Sequence, residues 1–147
     1  MADKLYTAKA HVTGGRTEGH GHSSDDALCV DLRIPTEMGG PGGGTNPEQL
    51  FAVGWSACFL SAIKIVAARK KVKLPAELAV DAEVDLGTAA GGYLIQARLN
   101  VNLPGIEHEV AQALVEAAHQ ECPYSKATHG NINVVTNVAT TPVANVA

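Results

Sequence analysis

The sequence predicts an α+β fold in which an antiparallel sheet packs around one long, buried helix. Alternating apolar and polar residues indicate strands that are joined by short turns, with no repeated parallel crossover. No residue from Leu50 to Ile63 is charged, which indicates a helix that is apolar on every face. The length of 147 residues fits a single domain, residues 1–147, that can bury a substantial core.

Two strands are predicted ahead of this helix. Leu5 to Val12 alternates weakly and contains residues that favour strands, whereas residues 13–22, TGGRTEGHGH, are typical of a turn or exposed loop because of their glycines. Ala27 to Ile34 alternates apolar with charged side chains such as Asp31. We therefore expect a half-buried strand there, with Cys29 on its polar face.

The central helix is predicted from Asn46 to Lys70, after a glycine-rich loop at residues 35–45. Asn46 suits the N-cap, Pro47 suits the first helical position, and Glu48 places a negative charge at the positive end of the helix dipole. Because no face is polar, we expect burial on every side. The uncharged stretch is too short to cross a bilayer.

The second half is predicted to contain a β-hairpin, a second helix and a final strand. Leu78 to Leu86 and Tyr93 to Leu103 alternate and are joined by the turn GTAAGG. Ile106 to Glu121 carries apolar residues at helical spacing opposite Glu and Gln, which indicates an amphipathic helix. Ile132 to Val138 is predicted to be a short strand, and residues 140–147 are predicted to be a loose tail.

Charge and composition narrow the classes of partner. The net charge is −4 and there is no basic block, which argues against nucleic acid and anionic membranes as partners. The N-terminus lacks the apolar region of a signal peptide, and no segment is predicted to span a membrane. We therefore expect a cytoplasmic protein that acts on a small molecule.

Neither the glycines nor the histidines form a known ligand motif. The loop MGGPGGGTN lacks the Gly-Lys-Ser/Thr ending of a phosphate-binding loop and does not fit GxGxxG. His20 with His22, and His119 with Cys122, are not followed by a second ligand pair at the spacing that zinc requires. No metal and no cofactor are therefore expected, and the histidines are interpreted as solvated loop residues.

The three cysteines are the strongest chemical candidates. In a reducing compartment Cys29, Cys58 and Cys122 argue against a structural disulfide framework. Cys58 lies in the middle of the central helix, and Cys122 comes directly before Pro123, which is expected to end the second helix. That helix must pack its apolar face on something, and the central helix is the obvious partner. Two interpretations follow, a redox pair formed by Cys58 and Cys122, or two unrelated buried thiols.

Four segments resemble one family closely. YTAKAHVTGGR, EMGGPGGGT, TNPEQLFAVGWSACFLSAI and CPYSKATHGNINV are similar to the organic hydroperoxide resistance (Ohr) proteins of the OsmC/Ohr superfamily. The match runs from Tyr6 to about Val135 and covers nearly the whole chain. The resemblance implies a thiol-dependent peroxidase, an oxidoreductase that reduces alkyl and fatty-acid hydroperoxides to alcohols in defence against organic peroxide stress.

The resemblance also assigns roles to individual residues. It makes Cys58 the peroxidatic cysteine and Cys122 the resolving cysteine of an intramolecular, redox-active disulfide. It makes Arg16 the group that stabilises the thiolate and the peroxide, with Glu48 orienting Arg16. A cation is needed because burial alone would raise the pKa of Cys58, and a guanidinium stays charged when buried.

The resemblance further implies an intertwined homodimer with active sites at the subunit interface, and reduction by a dithiol of a lipoylated protein. Phe51, Trp55 and Ala62 lie on the Cys58 stripe of the helix and are predicted to line an apolar substrate pocket. Two positions depart from the family pattern, because Trp55 replaces the usual Tyr and His129 replaces a common Arg. Two other functions fit a similar architecture, a redox sensor without turnover and an acyl-thioester or small-molecule binding protein.

Overall fold

The computed structural model describes residues 2–142, which form two compact units that divide between Leu50 and Phe51. The division falls inside the central helix, so the prediction of a single domain over residues 1–147 stays a prediction. In chain order the elements are β1 (Ala10–Thr13), α1 (Gly15–Glu18), β2 (Gly19–Ser23), β3 (Cys29–Arg33), α2 (Pro47–Lys70), β4 (Ala79–Ala89), β5 (Gly92–Asn102), α3 (His108–Glu121), α4 (Pro123–Thr128) and β6 (Val134–Ala139).

The first unit is built on an antiparallel sheet in the order β1-β2-β3. The prediction of a loop at residues 13–22 is wrong, because this segment contains both α1 and β2. The sequence of β2 consists of glycines, histidines and a serine and does not alternate apolar with polar residues, as a typical strand does. It is nevertheless a strand, because it pairs with β1 along one edge and with β3 along the other. Strand pairing therefore overrides the weak local preference. The strand predicted from Leu5 begins only at Ala10.

The second unit is built on a three-stranded sheet in the order β4-β5-β6. The predicted hairpin is confirmed, with Ala89 opposite Gly92 at its turn. The α+β class is also confirmed, with one correction to the sheet. β6 lies parallel to β5, so this sheet is mixed, because the two helices between these strands carry the chain back before it enters β6.

The core of the second unit lies between this sheet and the two longer helices. One face of β5 is directed inwards because its apolar residues alternate with polar ones. The buried members of the core come from α2, β5, α3 and the single residues that follow β5 and α3: Trp55, Phe59, Ala62, Ile63, Ala97, Leu99, Val101, Leu103, Ala111, Val115, Ala118 and Cys122.

The central helix is buried on one face only, so the prediction of burial on every side is wrong for this chain. Val53 is 70% exposed and Ile65 is 46% exposed, although both are large and apolar. The sheet and α3 cover one side of α2, and the unit has no further layer to cover the other. A groove of about 430 Å³ follows this open side and is lined by apolar residues that include Val53, Ala57 and Leu60.

The length of α2 also corrects the membrane argument. Within residues 2–142 one helix, Pro47–Lys70, is long and apolar enough to cross a membrane by length and composition alone. The sequence argument considered only the uncharged residues from Leu50 to Ile63, whereas the helix extends beyond them at both ends, from Pro47 to Lys70. A core helix meets the same criterion, and Trp55, Phe59 and Ile63 of α2 are completely buried in protein.

Pro123 ends one helix and begins another. α3 ends at Glu121, Cys122 follows it, and Pro123 is the first residue of α4, a position where its missing N–H costs nothing. The sequence analysis did not predict α4. The predicted loose tail at residues 140–147 lies outside the described residues from 143 onwards.

Candidate active site

Cys58 and Cys122 lie in contact in the second unit. Their Sγ atoms are 3.4 Å apart, with the Cys122 thiol placed to donate to the Cys58 sulfur. Both thiols are free. Sulfurs in a disulfide are about 2.05 Å apart, so this pair needs only a short approach to form one. The structure therefore places the two thiols of the predicted redox pair next to each other.

The two cysteines differ in their access to solvent. Cys122 is completely buried at the junction of α3 and α4, and its backbone N–H donates to the Ala118 carbonyl at 2.9 Å. Its sulfur also accepts from the backbone N–H of Ser125 at 3.5 Å and so caps α4. Cys58 is only partly buried, on α2. A molecule from solvent therefore reaches Cys58 more easily than Cys122.

Burial raises the pKa of the Cys58 thiol above its ordinary value. The Cys122 thiol beside it raises this pKa further, whereas the backbone N–H of Tyr124 lowers it by favouring the thiolate. The net direction is upwards. The groups of the second unit therefore leave Cys58 mostly protonated at neutral pH, and an active thiolate needs a positive charge.

Aromatic side chains surround this part of α2. The rings of Phe51 and Trp55 meet edge to face with centroids 5.6 Å apart, and the Tyr124 ring lies 6.0 Å from that of Phe51. Tyr124 also packs on Gly54, where an added Cβ would lie 3.1 Å from the phenol oxygen. Of the predicted pocket residues, Trp55 and Ala62 are buried in the core and Phe51 is partly buried at its edge.

A buried polar network lies behind Trp55. The indole Nε1 donates to Ser125 Oγ at 3.2 Å, and His119 joins Ser125 to Thr136 through its two ring nitrogens at 3.0 and 2.9 Å. The His119 ring lies 4.5 Å from that of Phe59. Burial lowers the pKa of His119, and His129 lowers it further. The interpretation of His119 as a solvated loop histidine is therefore wrong, because it lies on α3 and is partly buried.

We expect Ser125→Ala to lower the free energy of unfolding by about 1–3 kcal/mol, because the buried indole N–H loses its acceptor. Urea denaturation followed by tryptophan fluorescence measures this change. Ser61→Ala is the matched control, since this exposed hydroxyl donates only to a carbonyl of its own helix and its loss should cost less than ~0.5 kcal/mol. Equal effects of the two substitutions would show that the network contributes little.

Arg16 and Glu48 form a two-pronged ion pair in the first unit. Nη1 donates to Oε2 at 2.7 Å and Nη2 donates to Oε1 at 2.5 Å, the parallel geometry that suits guanidinium and carboxylate. The hydrogen bonds from Arg16 hold the pKa of Glu48 below its usual range. Glu48 lies in the first turn of α2, where Asn46 accepts from the Gln49 N–H as the predicted N-cap. The structure therefore brings together the predicted Arg16–Glu48 pair.

Two glycines set the turn that carries Arg16. Gly14 and Gly15 have positive φ angles of 72° and 61°, and α1 begins directly after Gly14. A Cβ on Gly14 would lie 2.3 Å from the Glu18 carbonyl oxygen, whereas a Cβ on Gly15 would meet nothing within 4 Å. Gly14 is thus required both by its backbone conformation and by the close approach of Glu18.

We expect Gly14→Ala to destabilise the first unit more than Gly15→Ala does. The left-handed conformation costs either alanine ~1–2 kcal/mol, but only alanine at position 14 must also displace a carbonyl. Hydrogen exchange of the amides of β2 and α1 in the two variants measures the difference. Equal protection in both variants would show that the turn accommodates the added methyl group.

Cys29 is exposed on β3, on the polar face that the alternation predicts. Its sulfur lies 3.7 Å from His20 Nε2. Both residues belong to the first unit, which places this thiol in a different compact unit from the cysteine pair.

Comparisons with known proteins agree with the fold and identify the family of the chain. The sequence model of the OsmC-like protein family matches residues 40–137. The organic hydroperoxide resistance protein of Xanthomonas axonopodis pv. citri is 53% identical over 136 residues, which cover 92% of this chain and 95% of that protein.

Two crystal structures are also similar to this chain. An organic hydroperoxide resistance protein from Legionella pneumophila has a TM-score of 0.88 and 43% identity, covering 94% of this chain and all of that one. The organic hydroperoxide resistance protein OhrB of Bacillus subtilis has a TM-score of 0.84 and 41% identity, covering 92% and 100%. The chain therefore belongs to the OsmC-like family, in which its relatives are the organic hydroperoxide resistance proteins.

Proposed function

We propose that this protein is a thiol-dependent peroxidase that reduces organic hydroperoxides to alcohols. The observation that carries the proposal is the 3.4 Å contact between the Cys58 and Cys122 sulfurs, one partly open and one completely buried. The names of the relatives, organic hydroperoxide resistance proteins, support the substrate class. The role is defence against organic peroxide stress, in the cytoplasm.

The proposed reaction begins at Cys58. Its thiolate attacks one oxygen of the hydroperoxide, the O–O bond breaks, and the sulfur gains a hydroxyl group as sulfenic acid while the leaving alkoxide takes a proton and becomes an alcohol. The Cys122 thiol then attacks the Cys58 sulfenic sulfur, which forms the disulfide and releases water. A dithiol reduces this disulfide, returns both cysteines to thiols and leaves as a cyclic disulfide.

The roles of the two cysteines follow from their access. A peroxide from solvent meets the partly exposed Cys58 before the buried Cys122, which touches Cys58 and is placed to resolve it. The raised pKa of Cys58 leaves too little thiolate for fast attack. We assign Arg16, held by Glu48, to supply the missing positive charge, as the family resemblance implies.

The preference for organic hydroperoxides over hydrogen peroxide is attributed to apolar contacts with the alkyl group of the substrate. We assign Phe51, which is partly buried at the edge of the core, to the apolar wall that receives the alkyl group, and Trp55 and Ala62, which are buried in the core, to the support of this wall. Each buried CH₂ contributes up to ~0.8 kcal/mol, so a few methylenes change the apparent affinity by orders of magnitude. Hydrogen peroxide has no alkyl group and gains nothing from such a wall.

The decisive experiment is steady-state consumption of cumene hydroperoxide with dihydrolipoamide as the reductant. We expect many turnovers, a much higher kcat/KM than for hydrogen peroxide, and a linked Cys58–Cys122 peptide after one equivalent of peroxide. If the protein consumes one equivalent of peroxide and then stops despite excess dithiol, it is a redox sensor. Hydrolysis of acyl-thioesters that survives loss of Cys58 would instead identify a thioester-handling protein. Either result would overturn the proposed peroxidase function.

The dithiol is expected to belong to a lipoylated protein. Dihydrolipoamide carries two thiols on one chain, so its second thiol releases the mixed disulfide formed by the first. It should therefore sustain faster turnover than a monothiol at equal thiol concentration. A preference for a thioredoxin-type donor would contradict this assignment.

A homodimer explains the open side of α2. Val53 and Ile65 expose apolar surface that a second copy would cover, and the family resemblance implies two long helices at the centre of an intertwined dimer. Sedimentation velocity is expected to give a dimer for the wild type and a shift towards monomer for Val53→Asp. Lys70→Ala changes the charge equally at the exposed end of the same helix and should remain dimeric. A monomeric wild type would contradict the dimer.

A further inference from the structure

A second thiol lies on the polar face of the first sheet, and it is not one of the residues assigned to the proposed peroxidase. In the antiparallel register His22 is opposite Cys29 and His20 is opposite Asp31. Because side chains alternate along a strand, these four residues lie on one face. Diagonal neighbours in such a pair are within reach of long side chains, and Cys29 uses the diagonal contact to His20.

The contacts among three of these residues have the geometry of an activated thiol. Cys29 Sγ lies 3.7 Å from His20 Nε2, and His20 Nδ1 lies 3.0 Å from Asp31 Oδ1. A nucleophile, a base within hydrogen-bond distance and a third group that orients the base are the elements of a catalytic triad. The carboxylate fixes the tautomer that leaves Nε2 free to accept the thiol proton.

Solvent reaches all three groups. Cys29 is exposed, and the side chains of His20 and Asp31 are 51% and 62% exposed. Hydrogen bonding from His20 lowers the pKa of Asp31, with a smaller effect from Arg33, so this carboxylate stays charged at neutral pH. Within residues 2–142 no group of three or more His, Cys, Asp or Glu side chains is arranged to hold a metal ion. The exposed thiol, its base and the carboxylate are therefore all accessible for thiol chemistry.

We propose that Cys29, activated by His20 and Asp31, is a site of reversible S-thiolation by low-molecular-weight disulfides. His20 Nε2 takes the thiol proton, and the Cys29 thiolate attacks one sulfur of the disulfide RSSR. A new S–S bond forms between Cys29 and one RS group while the old S–S bond breaks. The second RS group leaves as a thiolate and takes the proton from His20, so no further oxidant is needed.

Other charged groups surround this site. On the same face, His22 lies 3.3 Å from Asp26 through Nδ1, and the His11 ring on β1 lies 5.8 Å from that of His22. The helical turn α1 packs against β2 and β3 and carries Arg16 and Glu18, with Arg16 paired to Glu48. Single substitutions are therefore needed to isolate the effect of His20 on the thiolation rate.

The test uses Cys58→Ser/Cys122→Ser protein, in which Cys29 is the sole thiol, and 4,4′-dithiodipyridine as the disulfide probe. We expect folded Cys29 to react at pH 6 at least ~10-fold faster than the same thiol in urea-unfolded chain, because a hydrogen-bonded base supplies thiolate where a free thiol is hardly ionised. His20→Gln should remove this advantage. Asp31→Asn should also reduce the rate, since the amide no longer fixes the tautomer that leaves Nε2 free to accept the thiol proton.

His11→Gln is the matched control, because it removes a histidine from the same face that does not contact the thiol, and its rate should stay within ~2-fold. If the double serine variant does not fold, the same substitutions are compared in the wild-type background by mass spectrometry of the Cys29 peptide after timed quenching. Folded Cys29 that reacts no faster than the unfolded chain, or a rate unchanged by His20→Gln, would overturn the proposal. Neither result depends on peroxidase activity.

Discussion

Cys58→Ser is expected to abolish peroxide consumption and to leave less than about one per cent of wild-type turnover. A serine hydroxyl is not appreciably ionised at pH 7 and is a poor nucleophile towards an O–O bond, so the first step has no alternative route. Consumption of cumene hydroperoxide with excess dihydrolipoamide measures this loss. The substitution is nearly isosteric at a partly buried position, so the fold should be retained.

Two further substitutions show that the loss is specific to this thiol. Cys29→Ser removes an exposed cysteine of the other unit and should leave turnover within a few-fold of wild type. Cys122→Ser should still reduce about one equivalent of peroxide and leave Cys58 as sulfenic acid that is prone to overoxidation. Appreciable peroxide turnover by Cys58→Ser, or a large loss of turnover in Cys29→Ser, would show that Cys58 is not the cysteine that attacks the peroxide.

Arg16→Ala is expected to raise the pKa of Cys58 further and to reduce peroxide turnover strongly. Desolvation already raises this pKa, so removal of the proposed positive charge should raise it further and leave little thiolate at neutral pH. Alkylation of Cys58 by iodoacetamide should slow at pH 7, and the midpoint of its pH profile should move upwards. Mass spectrometry of the Cys58 peptide separates this reaction from that of Cys29.

Graded substitutions separate charge from geometry. Arg16→Lys keeps the charge but cannot reproduce the two-pronged contact with Glu48, so it should recover little activity. Glu48→Gln should cause a milder loss, because Arg16 keeps its charge and loses only its orientation. Arg98→Ala is the control, since it removes another arginine that is paired with carboxylates, Glu83 and Asp85. If the pH profile of Cys58 alkylation is unchanged in Arg16→Ala, Arg16 does not stabilise the thiolate. The backbone N–H of Tyr124 would then be the group that does so.

The features that depend on local pattern or on residue chemistry could be predicted from the amino-acid sequence. The N-cap at Asn46, the hairpin of β4 and β5, the polar face that exposes Cys29 and the α+β class all follow from residues close together in the chain. Cys58 and Cys122 stood out because few residue types can attack a peroxide, and the two cysteine motifs are specific to one family.

Which residues from distant parts of the chain come into contact could not be predicted in this way, because it depends on tertiary packing. The strand β2 exists because β1 and β3 pair with both of its edges, and β6 is parallel to β5 because two helices intervene. The 3.4 Å sulfur contact, the buried hydrogen bonds of His119 and the alignment of Cys29 with His20 are likewise made across elements. Sequence periodicity shows which face of an element a side chain occupies, whereas the neighbour of that face is set by packing and register, which no local pattern contains.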